Sequence, residues 1–337
     1  MDHSIKQEKV EKQCPVPKIA LEVSVDGAVL ITQGKEQLQA IAPDSVVNDS
    51  LVTDKNKQAT LTISANTGVK LPIFINWHNV TDTQKLILNL GENSHAFILE
   101  SYTGQSQAQS YLDINLADNA SLEHYRMLFE QERSANTEVL RLDRNAHYES
   151  FYLIQGLTDQ EKSYDVNVKL QGEGAQSAIY GAYLTRDTDK IKLKTLTEHL
   201  VPQTISNEVF RGIVDDRSRV SFDGRILIVQ DAQKTSGDLS NKNLLLSDKA
   251  HIDTRPELEI YADDVKCSHG ATVSQLDELS LHYLKTRGID DNTAKGMISF
   301  SFITEVLNHM PESPCRNRFR MKIAQFLGHT LGDIDDI

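Results

Sequence analysis

From Gln58 to about Leu276 the chain runs in short stretches of alternating apolar and polar residues, almost without pause. LTISANTGVKLPIFINW opens the series, and the segments around Ile226, Leu244 and Leu258 continue it. Alternation with a period of two places successive side chains on opposite faces of a strand. Polar–polar–small turns separate the runs: Glu92-Asn93-Ser94, Asp118-Asn119-Ala120, Arg144-Asn145-Ala146, Glu173-Gly174-Ala175, Arg217-Ser218 and Asp248-Lys249-Ala250. Their small residues stand at 94, 120, 146, 175, 218 and 250, giving spacings of 26, 26, 29, 43 and 32. A repeat near 26 residues with two or three strands fits one coil of a β-solenoid, each coil stacked about 4.8 Å above the last. The predicted core is therefore all-β, a parallel solenoid over residues 58–276. Ile226, Leu227, Val229, Leu244, Leu245, Leu246, Leu258 and Ile260 are expected to face inward, and Asn241 and Asn243 to join a side-chain amide ladder. A β-sandwich or an irregular meander is the competing arrangement.

The pattern differs at both ends. Residues 1–18 read as a solvated tail, and Lys18–Gln33 as a hairpin in which Leu21, Val23 and Val25 alternate before Asp26-Gly27, with Val29 and Ile31 after it. Residues 1–57 thus form an N-terminal tail and hairpin. After Leu276 the period becomes helical. Residues 277–286 predict a short helix stopped by Gly288, and Asp290 predicts the N-cap of a second running to His309. Ala294, Met297, Ile298, Phe302, Ile303 and Val306 give that helix a broad apolar stripe. Beyond Pro311 and Pro314, Phe319, Ile323, Phe326 and Leu327 mark a third helix. The small helical segment 277–337 is expected to cover the open end of the solenoid, since an unpaired last coil templates aggregation. Arg316, Arg318, Arg320 and Lys322 crowd the third helix, as a solvated face or as a dock for an acidic partner.

Composition narrows the function. Only 39% of the 337 residues are hydrophobic, which suits an elongated protein with much surface. The net charge of 35 − 48 = −13 argues against nucleic acid or an anionic membrane as partner. The first twenty residues are charged, and no apolar run approaches the roughly 18 residues of a membrane helix. Three cysteines give no disulfide framework, so a reducing cytoplasm is the expected location.

No GxxxxGKS or GxxxxGKT occurs, so ATP is not expected on this chain by that route. Without GxSxG, HExxH or CxxC, no residue is assigned a catalytic role. The acid pairs Asp215-Asp216 and Asp263-Asp264 read as turns rather than as a glycan-cleaving site. Histidines 78, 95, 124, 147, 199 and 251 show no compact ligand spacing and read as hydrogen-bonded corner residues. Cys14 and Cys315 have no companion ligand. What remains is Cys267-Ser268-His269, within RPELEIYADDVKCSHGATVSQL. On a strand, residues i and i+2 share a face. A thiol and an imidazole side by side suit iron or zinc, and a histidine neighbour can lower a thiol pKa. Two ligands do not close a shell. Either the set is completed elsewhere in the chain, by a partner or by cargo, or Cys267 is a small core residue and His269 a hydrogen-bonded turn residue.

The stretch from Thr195 through LEIYADDVKCSHGATV to the YLxxRGI helix resembles the SufB/SufD family of iron–sulfur cluster assembly proteins, in its SufD-type rather than its SufB-type members. The similarity extends from about Ile87 to Leu307. It implies a right-handed parallel β-helix with a C-terminal helical segment. It also implies a non-catalytic scaffold subunit that pairs with a SufB-like chain through the β-helices, a homodimer through the same surface being a further mode. A SufC-like ATPase would sit on the C-terminal helices. A transient iron–sulfur cluster would be shared with the partner chain, with His269 as this chain's metal ligand and Cys267 its companion. The alternative is a purely architectural subunit that docks the ATPase without touching metal. One departure is the WKYT-like motif that family members carry before the β-helix, which is absent; Trp77 stands in FINWHN instead.

Overall fold

The computed structural model describes residues 21–26, 29–30, 52–53, 58–69, 73–78, 83–103, 109–129, 132–156 and 159–328. Successive strands alternate between two sheets. The first holds, in spatial order, the strands at 73–78, 95–103, 121–128, 147–155, 176–185, 205–214, 235–245 and 265–275. The second holds those at 58–63, 84–90, 109–116, 134–142, 161–170, 190–199, 219–228 and 251–260. Each of these strands pairs in parallel with its neighbour one coil away, as in Leu140↔Val168 and Ile179↔Glu208. The chain is therefore a two-sheeted parallel β-solenoid, not a sandwich. Burial alternates strictly along strands such as Ser134–Leu142 and Glu161–Leu170. Leu88, Ile98, Ile114, Leu122, Leu140 and Val168 fill the lumen without exposure. At the N-terminal side, Leu21–Asp26 and Val29–Leu30 pair antiparallel as the hairpin pattern predicts. The predicted tail and the turn residue Gly27 lie outside the described residues.

The irregular turn spacing has a structural cause: two corners alternate. Asn66, Asn93, Asn119 and Asn145 share one corner, each with a φ between 53° and 59°, and Gly174, Gln203 and Lys234 continue it. The recurrences at 218 and 250 belong to the opposite corner, between Ile205–Val214 and Arg219–Ile228 and between Thr235–Leu245 and His251–Ile260. The Gln203 turn, written Pro-Gln-Thr, lacks the polar–polar–small signature, which leaves the apparent 43-residue gap.

The amide ladder sits on this first corner rather than at Asn241 and Asn243. Asn93 Nδ2 donates to Asn66 Oδ1 at 3.0 Å, Asn119 to Asn93 at 3.0 Å and Asn145 to Asn119 at 3.2 Å. Asn241 and Asn243 are buried in the lumen, where Asn241 donates to the Tyr183 hydroxyl at 3.0 Å and Asn243 to Asn241 at 2.7 Å. Asn tolerates the left-handed backbone because its short polar side chain bonds locally. Asn119→Ala is expected to cost about 1–2 kcal/mol and Asn119→Gly clearly less, read as paired thermal unfolding curves.

The C-terminal segment forms helices α1 (Glu278–Thr286), α2 (Asp291–Thr304) and α3 (Pro314–Phe326), with a 3-10 turn at Glu305–His309 between the last two. Asp277 and Asp290 cap α1 and α2 through their side chains, and Gly288 ends α1 with φ 87°. Ser313 caps α3, and Pro314 opens that helix at its first position.

These helices do not cover the last coil. α2, the 3-10 turn and α3 lie on the outer face of the first sheet, where Leu99, Tyr125, Met127, Phe151, Leu153 and Tyr180 form one cluster with Phe300, Ile303, Val306, Phe319 and Ile323, while α1 buries no residue. That flank carries an aromatic column: Tyr125 stacks on Phe151 at 5.0 Å, Phe151 on Tyr180 at 5.1 Å and Tyr180 on His309 at 4.2 Å. An apolar sheet face of this extent gains more from burial than a single coil edge does. The inward assignments shift accordingly. Ile226 and Ile228 fill the lumen while Leu227 is half-buried; Leu244 faces the helices; Ile260, on the uncovered coil, is 40% exposed.

Candidate functional site

Cys267 and His269 lie on the strand Val265–Gln275, the terminal strand of the first sheet. Its neighbour Thr235–Leu245 pairs Gly237 with Cys267 and Leu239 with His269. Leu239 is buried in the lumen core, and paired residues of a parallel ladder share a face. Cys267 therefore stacks over Gly237 and His269 over Leu239, on the lumen side of the last coil, as the i, i+2 spacing predicts. Their environments differ. Cys267 is half-buried and packs against the core, whereas His269 is exposed. Burial pushes the Cys267 thiol up; a backbone hydrogen bond with Gly237 opposes this and the Asp238 charge adds to it. The thiol thus moves away from the activation that a histidine neighbour would give. Among the described residues, no three His, Cys, Asp or Glu side chains are grouped to hold a metal ion. The pair remains half of a ligand set.

Just inside the coil, Gly237 packs closely on Ile226, Ser206 and His199: a Cβ built there would lie 3.2 Å from Ile226 Cγ2, 3.4 Å from Ser206 Oγ and 3.5 Å from His199 Nε2. His199 bonds Thr204 Oγ1 at 2.7 Å and Ser206 Oγ at 2.9 Å. Burial holds its imidazole down at about 4, so it is neutral at pH 7.

Deeper in the lumen is a network that the sequence pattern does not reveal. Glu100, His124, Arg126 and Glu138 are all buried. Arg126 Nε donates to Glu100 at 2.7 Å and its Nη1 binds Glu138. The His124 ring nitrogens meet Glu100 at 2.9 Å and the Tyr148 hydroxyl at 3.1 Å. Tyr148 and Tyr152 donate to Glu138 at 2.9 and 2.6 Å. Burial would raise the Glu100 carboxyl, but Arg126 and His124 outweigh it and hold it at about 2. The available signal was charge at inward-parity positions, Glu100 and Arg126 being register partners.

The other histidines scatter. His95 and His251 are exposed, His147 is half-buried, and the side chain of His78 lies outside the described residues. Cys315 is buried in α3, its thiol pushed up to about 11 by burial. The basic cluster of α3 is largely engaged within the chain. Arg316 binds Glu312, Arg320 lies 5.9 Å from the centre of the Phe300 ring, and Lys322 donates to Gln325 at 3.3 Å.

Fold and site together define a parallel β-solenoid protein with helices on its flank and an uncovered terminal coil carrying an incomplete ligand pair. Residues 73–302 match the family described as SUF system FeS cluster assembly, SufBD core domain. The iron–sulfur cluster assembly protein SufD of Escherichia coli is 32% identical over 247 residues, 71% of this chain and 58% of that one. A SufBD family protein of Synechocystis sp. is 30% identical over 314 residues, 83% of this chain and 65% of the relative. SufD of Plasmodium falciparum is 28% identical over 285 residues, 81% of this chain and 19% of its own length. The chain belongs to the SufB/SufD family of SUF-system iron–sulfur cluster assembly proteins. It spans less than two thirds of the length of these relatives. No helix among the described residues is long and apolar enough to cross a membrane.

Proposed function

We propose that this chain is a scaffold subunit of a SUF-type assembly complex, pairing through its uncovered last coil with a SufB-like chain and offering His269 to nascent cluster or iron shared across that junction. The carrying observation is the open backbone of Val265–Gln275. Ser236 N donates to Thr204 O and Leu246 N to Val214 O, so even-numbered residues of that strand bond the preceding coil. With Ser236 paired to Lys266, the alternation carries over to the last strand. There the odd-numbered residues Val265, Cys267, His269, Ala271, Val273 and Gln275 turn their N–H and C=O groups outward. No proline interrupts this row. On the terminal strand of the second sheet the even-numbered residues face out, and Pro256 breaks the row of donors.

A strand added to this edge by another chain would bring its side chains beside His269, where missing ligands belong. The cluster is cargo at this junction rather than a resident group. ATP hydrolysis falls to a SufC-like ATPase docked on the C-terminal helices. Leu279 and Tyr283 of α1 are 79% and 56% exposed there, beside a groove lined by Leu284, Met297, Ile298 and Phe302.

Co-expression with the SufB-like and SufC-like chains of the same genome, followed by anaerobic cluster reconstitution, tests the reading. His269→Ala is expected to leave the complex assembled while cluster yield falls about tenfold or more. An assembled complex with unchanged yield removes His269 from the metal and leaves the architectural reading. Burial of Cys267 is the one observation on that side, since a protonated thiol packed on the core serves as filler for the last coil.

A further inference from the structure

The outer face of the second sheet is laced by ion pairs between coils. Lys192 meets Glu161 at 3.0 Å and Lys169 meets Glu198 at 3.6 Å. Nearer the end, Arg225 meets Glu257 at 2.9 Å and Glu259 at 3.2 Å, and Arg255 meets Asp223 at 3.0 Å. These outward charges find their opposites in an adjoining coil. His251–Ile260 has an adjoining coil on one side only, yet it carries Asp253, Arg255, Glu257 and Glu259 on its outer face. Glu257 and Glu259 share the single guanidinium of Arg225, and Arg255 is divided between Asp223 and Asp253, the latter at 3.3 Å. Three carboxylates against one guanidinium leave this rim with a net charge of −2.

Resting on the pairing reading above, we infer that this rim is a charge template for the partner. It selects a chain whose facing strand presents basic, acidic, basic and basic side chains opposite Asp253, Arg255, Glu257 and Glu259, and it disfavours a second copy of this chain. A partner coil seated on the end places its side chains about 4.8 Å above these residues, the spacing at which opposite charges attract and like charges are rejected. A second copy, related by a two-fold axis through Pro256, would set Asp253 against Glu259 twice and Arg255 against Glu257 twice; the attractive pairs offset the repulsive ones, but two rims that each carry a net charge of −2 would still meet. Exposed pairs contribute little affinity each; their weight lies in choosing between partners and in the approach rate.

The test uses the full chain and its SufB-like counterpart, with affinity and self-association measured by analytical ultracentrifugation at low and high salt. For the native chain, partner affinity should fall with added salt, while any self-association should rise as the acidic repulsion is screened. Glu257→Lys with Glu259→Lys turns the rim from −2 to +2, so it should weaken partner binding about tenfold at low salt while two copies still repel; Glu257→Gln with Glu259→Gln brings the rim to zero, so it should weaken partner binding less and strengthen self-association at low salt, without placing a new cation beside Arg225. Glu257 is exposed and Glu259 half-buried on the outer face, and folding of the variants can be verified by circular dichroism. Unchanged partner affinity and unchanged self-association in both variants would overturn the template while leaving the pairing itself intact. If the native chain binds no SufB-like protein at any salt, the pairing reading falls. The self-association arm then decides the template alone: salt-insensitive association equal in all three proteins rejects it.

Discussion

Replacing Arg126 with Met is expected to lower the stability of the protein by about 3–5 kcal/mol at neutral pH, because it strands two buried carboxylates. Glu100 and Glu138 would lose the one guanidinium that both contact, in a lumen where neither reaches water. The sign of the pH dependence makes the prediction specific. In the native protein Glu100 is held at about 2, below the ordinary 4.5, so its contribution is complete above 4.5 and fades as pH falls toward 2. Without Arg126, burial dominates and lifts the same carboxyl above 4.5. Folding then takes up a proton, and the variant gains stability on acidification. The gap between native and variant unfolding midpoints should be widest near pH 7 and narrow steadily on acidification, closing only toward pH 2. A gap that stays constant from pH 7 to pH 4 would show that lost packing, not stranded charge, is responsible. Adding Glu100→Gln and Glu138→Gln to Arg126→Met should recover most of the loss, since a neutral polar lumen leaves no unpaired ion.

The second large effect is expected at the flank. Phe319 is 1% exposed and stands edge-on to Tyr125 at 6.3 Å, where α3 meets the aromatic column. Phe319→Ala should cost about 3–5 kcal/mol. The cost should be local, because the solenoid's own ladders do not pass through the helices. Hydrogen exchange should accelerate across residues 291–326 while amides of the inner coils keep their protection. Uniform acceleration in every coil would mean that the helices are part of the solenoid's cooperative unit. If α3 carries the ATPase dock, the same variant should lose the ATPase while keeping the SufB-like partner.

The strands, the hairpin, the three helices and the Asp290 cap were legible in the sequence because each is written locally, as alternation, turn chemistry or helical period. What the helices cover was not. Met297, Ile298 and Phe302 belong to the apolar stripe of α2, but the stripe serves two surfaces. Ile303 goes to the sheet, Met297 and Ile298 line the groove toward α1, and Phe300 and Phe302 touch both. A helical period gives a face, not its destination. The coil length was blurred for a similar reason, since both corners use the same turn residues and only three-dimensional stacking separates Asn145 from Ser218. At the site, spacing placed Cys267 and His269 on one face. Their unequal burial follows from Gly237 and Leu239 beneath them, thirty residues earlier in the chain. The lumen network hid in plain alternation: Glu100 and Arg126 occupy inward positions that a binary pattern assigns to apolar residues.

The corner of left-handed turns has a consequence for how such a chain can change in length. Its turn residues stand at 66, 93, 119, 145, 174, 203 and 234, so successive coils take 27, 26, 26, 29, 29 and 31 residues. One residue added inside a strand would turn every following side chain of that strand inside out, exchanging lumen for solvent. Growth is therefore quantised. A related chain can gain or lose complete turns of the solenoid, or residues at its corners, and every surviving turn keeps its helices, its lumen and its terminal coil in step.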